Sequence, residues 1–126
     1  MYRLLIIDSD SNMLKNYERE YSIETLGIKA EKYLSDYSAA LSYILEKVPD
    51  IVLIDITMEN NTGMELIRNA RANGYLGIFV ICSASMDITG FQESLECKVH
   101  AYLTKPLSSE DFTETMRKIV HELDIL

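Results

Sequence analysis

The sequence has no tryptophan, two prolines, five glycines and two cysteines, and it carries no basic excess. Each shortage excludes something. Scarce glycine and proline exclude a collagen-like or low-complexity chain, and 48% hydrophobic with 25% charged residues is a globular composition. Two cysteines cannot build a disulfide framework or, alone, a zinc site. Cys82 ends the apolar run Ile78–Cys82 and reads as a buried thiol, whereas Cys97 reads as the end of a helix. Acidic residues outnumber basic ones 20 to 12, giving a net charge of −8. A chain so charged offers no basic patch to a nucleic-acid backbone and is repelled by anionic lipid. The charge serves solubility first, and a cation site second if some carboxylates gather. The N-terminal apolar run, Leu4–Ile7, is too short for a signal peptide or a membrane span, so the expected location is the cytoplasm.

What is present is an alternation of apolar runs and helix-period segments over 126 residues, the size of one domain, taken as 1–126. Leu4–Ile7 stops at Asp8, and Leu14, Tyr17 and Tyr21 then recur at helical spacing, with Gly27 closing that helix. Ile28–Leu34 alternates like an edge strand. Leu41, Ile44, Leu45 and Val48 mark a second helix stopped by Pro49. Ile51–Ile54 is a third strand ending at Asp55, and a loop runs from Glu59 to Gly63. Ile67 and Ala70 carry a third helix with Gly74 near its end. Ile78–Cys82 is a fourth strand followed by Ser83, and Ile88, Phe91 and Leu95 form one face of a fourth helix. Ala101–Thr104 is a short fifth strand leading to Lys105-Pro106. Ser108 caps a last helix with the stripe Phe112, Met116, Ile119, Val120 and Leu123. His100 and His121 read as structural or surface residues.

This alternation predicts an α/β fold, a doubly wound parallel sheet with helices on both faces. Function in such sheets sits at the carboxyl ends of the strands. Asp8, Asp55, Ser83 and Lys105 fall at four of those ends, with Asp10 just beyond the first. A polar residue at one strand end is usually a cap, but four of complementary type are a site. Crowded carboxylates repel, and a hard divalent cation such as Mg²⁺ relieves them while sharing a phosphate. A carboxylate can attack phosphorus to give an acyl phosphate, and a lysine and a hydroxyl can bind the phosphoryl oxygens. The Lys105-Pro106 bond can be cis and so aim the lysine inward.

Four segments in this order, Leu5-Ile6-Ile7-Asp8, Asp50–Asp55 with Gly63, Val80–Ala84 and Ala101–Pro106, resemble the response-regulator receiver family. The resemblance spans essentially the whole chain. It implies a flavodoxin-like sheet of order 2-1-3-4-5 and a signalling switch of a two-component system, not a metabolic enzyme. By that resemblance Asp55 accepts a phosphoryl group from a sensor histidine kinase. Asp8, Asp55 and the backbone carbonyl of Thr57 hold Mg²⁺, with Asp10 a further contact if its loop bends. Ser83 and Lys105 bind the phosphoryl oxygens. Ser83 then moves toward the new charge, and Tyr102, at the family's aromatic switch position, turns into the space it leaves. The face of the fourth helix, fifth strand and fifth helix is expected to carry a homodimer or an output contact. The opening residues also resemble receivers joined to AraC-type transcription regulators, whose DNA contacts lie outside these residues.

The sequence departs from the pattern at Ser9, where the family has a second acid, and at Glu59, where it commonly has proline. Ser9 lowers the expected Mg²⁺ affinity, so a receiver-like interaction module that is never phosphorylated is the alternative. Thr57 and Ser85 occupy positions that tune dephosphorylation in the family. Two rival readings stand beside it. Asp8-Ser9-Asp10 resembles the D-x-D motif of haloacid-dehalogenase-type phosphatases, with Asp8 as nucleophile, but no further acidic strand end follows Lys105 to supply the metal. A flavodoxin-like flavin binder suits poorly an acidic first loop with no glycine and a chain with no tryptophan.

Overall fold

The computed structural model describes residues 1–20, 23–56, 62–84 and 88–125. The apolar runs become five strands, β1 (Tyr2–Ile7), β2 (Ile28–Leu34), β3 (Ile51–Asp55), β4 (Ile78–Ser83) and β5 (Ala101–Thr104). The helix-period segments become α1 (Ser11–Glu20), α2 (Tyr37–Lys47), α3 (Thr62–Ala72), α4 (Ile88–Glu96) and α5 (Ser109–Asp124). The sheet order is β2-β1-β3-β4-β5, and every pairing is parallel. This is the doubly wound arrangement that the sequence predicts.

Burial follows position in the sheet. Every residue of β3 and β4 is buried, because both faces of a central parallel strand are covered, while β2 at the edge is mixed. The pleat sends alternate residues to opposite faces and makes two cores. On one face Leu4, Ile6, Leu53, Val80 and Cys82 cluster with Tyr17 of α1 and Phe112, Met116 and Ile119 of α5. On the other, Leu5, Ile7, Val52, Ile54, Phe79 and Ile81 cluster with Ala40 and Ile44 of α2 and Ile67 and Ala70 of α3. Each large apolar side chain so buried contributes about 1.5–3 kcal/mol relative to exposure.

The helix ends are chemically specified. Asp36 accepts the Ser38 N–H at the start of α2, and Ser108 accepts the Asp111 N–H at the start of α5. Arg3 donates to the carbonyls of Lys47 and Val48, which the end of α2 would otherwise leave bare. The Lys105-Pro106 peptide is cis.

Four readings of the sequence are corrected. Gly27 does not end the first helix: α1 stops at Glu20, and Gly27, at φ 85°, closes a separate 3-10 turn over Glu24–Leu26. Tyr21 lies outside the described residues. Val48 is not part of the α2 stripe but its left-handed cap at φ 47°, 54% exposed, because Pro49 disfavours the helical region for the residue before it. Leu45 also faces outward, and Tyr37, Ala40 and Ile44 form the inner stripe. Leu95 is 60% exposed, and its neighbour Ser94 is buried instead. A helix as short as α4 leaves its rotational phase loosely fixed by sequence, and the side chains of Ile88 and Phe91 lie outside the description. Finally, Gly63 is no loop residue but the second residue of α3.

Candidate functional site

The order of the strands places the ends of β1 and β3 side by side, at the point where the chain changes direction across the sheet. Asp8 follows β1, and its N–H donates to the Leu34 carbonyl at 3.0 Å, so the strand ladder fixes its backbone. Asp55 is the last residue of β3 and pairs with Cys82 of β4. Ser83 ends β4, one place beyond Cys82, and its carbonyl accepts the Lys105 N–H at 2.8 Å. That bond brings the Lys105 side chain back over the sheet edge.

Three charges meet there. Lys105 Nζ donates to Asp8 Oδ2 and to Asp55 Oδ2, each at 2.9 Å. The two carboxylates are 1% and 5% exposed, and Ser83 is 3% exposed. Two ionised acids and one ammonium leave one net negative charge in a site nearly closed to water. Burial raises the Asp8 carboxyl above its ordinary value, against the opposing pull of Lys105 and of the Asp10 N–H. Burial pulls Lys105 down, but its bonds to Asp8 and Asp55 and their charges outweigh this and hold it above the ordinary lysine value. Burial also pushes the Cys82 thiol, beside Asp55, up to about 11, which leaves it inert at neutral pH.

The structure thus gathers Asp8, Asp55 and Lys105 and sets Ser83 at the same edge. Asp10 behaves differently. Its N–H donates to Asp8 Oδ1 at 2.9 Å, and its own carboxylate accepts the Asn12 N–H at 2.9 Å and is exposed. It therefore caps α1, and among the described residues no three acids, histidines or cysteines form a metal-holding group. The backbone carbonyl of Thr57, the side chain of Glu59 and Ser85 lie outside the described residues. Tyr102 pairs with Ile81 in β5 and packs half-buried against the second core.

One residue of the site escapes the sequence reading. Tyr37, the first residue of α2, is buried and donates its hydroxyl to the Asp55 backbone carbonyl. The available signal is its place one turn before Ala40 and two before Ile44, which sets a polar-tipped ring on a buried stripe.

The donor set suits a hard cation. Two buried carboxylates are the hard oxygen donors that Mg²⁺ uses when it shares a phosphate, rather than a closed all-protein cage. Among the described residues no helix is long and apolar enough to cross a membrane.

Comparison with known proteins gives this geometry its context. The model of the response regulator receiver domain matches residues 4–117. The chain is 26% identical over 123 residues to YesN of Bacillus subtilis, an uncharacterized transcriptional regulatory protein, covering 98% of this chain and 33% of that one. It is 27% identical over 112 residues to the transcriptional regulatory protein MalR of the same organism, covering 89% and 47%. The chain thus spans between a third and a half of the length of these two curated relatives. Among solved structures, the REC domain of AraT, a response regulator from Geobacillus stearothermophilus, superposes with a TM-score of 0.86 at 20% identity, covering 98% and 95% of the two chains. A CheY-like receiver domain from Methanospirillum hungatei superposes at 0.85 with 22% identity, covering 98% and 97%.

Proposed function

This chain belongs to the response regulator receiver domain family, whose members are signalling switches of two-component systems, and we propose that its phosphoacceptor is Asp55. The observation that carries the reading is the single Lys105 ammonium shared by two buried carboxylates at one strand edge. An Asp55 carboxylate oxygen attacks the phosphorus of a kinase phosphohistidine. The new P–O bond forms as the P–N bond breaks, and the imidazole leaves with the electron pair. Lys105 and the Ser83 hydroxyl take phosphoryl oxygens, so charge arriving at the edge meets donors already in place. Asp8, Asp55 and the Thr57 carbonyl are the residues that would hold Mg²⁺. The ion's part is to offset the net negative charge that Asp8, Asp55 and Lys105 leave, which otherwise repels a phosphoryl group.

The switch follows from the added charge. A phosphoryl group brings nearly two negative charges and strong acceptors. We read Ser83 as moving toward it and Tyr102, half-buried in β5, as filling the space behind. The face of α4, β5 and α5 then changes shape for a second copy or an output partner. Residues 1–126 form one cytoplasmic receiver in this reading. The output is a transcription effector, in keeping with relatives named as transcriptional regulators.

The test is intact mass after incubation with acetyl phosphate and Mg²⁺, on wild type, Asp55→Asn and Asp8→Asn. Wild type is expected to gain one phosphoryl group, Asp55→Asn none, and Asp8→Asn to label slowly and need more Mg²⁺. An adduct that survives in Asp55→Asn sinks the assignment. A wild type that neither labels nor binds beryllofluoride favours the unphosphorylated module, which the neutral Ser9 supports. Phosphoester turnover lost in Asp8→Asn would instead revive the phosphatase reading.

A further inference from the structure

Tyr37 stands at the junction of three elements. Asp36 caps α2, so the chain enters the helix with the next residue turned toward the sheet. The Tyr37 ring is buried within the core cluster that holds Ile7 and Ile54, the residues before the two site carboxylates. Its hydroxyl donates to the Asp55 backbone carbonyl. Burial first, then the charges of Asp55 and Asp8, raise the phenol above its ordinary value, so it stays a protonated donor at physiological pH.

We propose that Tyr37 is a positioning residue of the phosphoacceptor pocket, whose hydroxyl fixes the backbone at the end of β3 and so sets where Asp55 stands beside Asp8 for a divalent cation. The inference rests on the reading of those two carboxylates as cation ligands. Its physical basis is the bond from a buried donor to the residue that carries the carboxylate. With the neutral Ser9 in place of a second acid, the site depends more heavily on the placement of the two acids that remain. A buried hydroxyl that donates to a carbonyl resists rotation of that peptide, because the lost bond costs about 1–3 kcal/mol once water is excluded. Asp55 therefore begins from a fixed backbone.

The molecule supplies a matched control. Tyr75 is equally buried, and its hydroxyl donates to the Pro49 carbonyl at 2.6 Å, near the amino ends of β3 and β4 and so at the opposite edge of the sheet. Tyr37→Phe and Tyr75→Phe remove the same bond from the same kind of ring. Both keep the ring's packing, and both are expected to fold with similar losses in melting temperature.

The experiment is a Mg²⁺ titration of wild type, Y37F and Y75F, followed by carboxyl-carbon NMR shifts, beside acetyl phosphate labelling at increasing Mg²⁺. Tyr37→Phe is expected to raise the Mg²⁺ dissociation constant about tenfold, as loss of a residue supporting a ligand does. Its labelling rate should recover at saturating Mg²⁺. Tyr75→Phe is expected to change Mg²⁺ binding by less than about twofold. Equal Mg²⁺ affinity in wild type and Tyr37→Phe overturns the proposal, and so does an equal loss in Tyr75→Phe, which would mark a general effect of destabilisation. A wild type that binds Mg²⁺ but takes no phosphoryl group refutes the proposed function alone, and the titration still decides the role of Tyr37. A wild type that binds no Mg²⁺ removes the premise and the proposal together.

Discussion

Asp8 is held in its place against its own preference. Its carboxyl is raised by burial, so the folded chain binds that proton more tightly than the unfolded chain does. Ionisation therefore costs stability, and the loss develops as pH climbs from the ordinary aspartate value of 3.8 through the raised folded value. Metal-free Asp8→Asn is expected to melt above wild type at neutral pH and to match it in acid, in thermal scans across pH. Mg²⁺ should raise the wild-type midpoint more than the variant's. A neutral-pH midpoint at or below wild type contradicts the account. Among single residues, the site acids and the lysine were legible because residue type and strand-end position coincide. Asp10 was not, because sequence does not say whether a carboxylate caps the next helix or turns into the pocket. Tyr37 was missed because a tyrosine on an apolar stripe reads as core until its hydroxyl finds a partner.

Among the elements, the start of α3 lies close against the end of β3. A Cβ on Gly63 would meet Ile56 Cα at 2.9 Å and the Asp55 carbonyl oxygen at 3.2 Å, both main-chain atoms unable to rotate away. Gly63→Ala is expected to cost about 1–3 kcal/mol in denaturant unfolding, as overpacking does, and to slow acetyl phosphate labelling. Stability and labelling unchanged from wild type would show that α3 can back off freely. Strands were read from sequence with bounds within two residues, because central parallel strands are continuous apolar runs. Helix phase was read less well. The 3-10 turn before Gly27 mimics a continuing helix, since its three-residue spacing lies close to the α period. The left-handed Val48 looks like one more stripe position until the proline after it is taken into account.

In the molecule as a whole, the two cores share one sheet, and one of them buries the hydroxyls of both Tyr37 and Tyr75. Burial raises the phenols of Tyr37 and Tyr75 above the ordinary 10.0, while burial and then its bond to Glu31 push Tyr43 up to about 12. A raised acid group supports the fold below its unfolded value and withdraws that support as pH rises past it. The raised Lys105 ammonium acts in the same direction, its contribution present below 10.5 and lost through its folded value. In alkaline titration the Tyr37 and Tyr75 phenolates should appear only with the loss of circular dichroism. Phenolate absorbance that reaches its full value before the fold is lost would contradict the burial of these rings. The alternation of elements made a parallel sheet covered on both faces legible, whereas the strand order came from the resemblance to the receiver family. The tyrosine anchors were not legible, because they depend on which loop carbonyl lies within reach.

The contact between Lys105 and Asp8 joins positions 97 residues apart, the first strand end to the last. During synthesis both carboxylates emerge long before the ammonium that serves them. Until β5 docks, a nascent or clipped chain presents repelling acids and no cation to receive a phosphoryl oxygen. The three-charge cluster therefore forms late and all at once, as a completion check written into strand order. On the proposed function, a copy truncated before Lys105 is expected to take up no phosphoryl group.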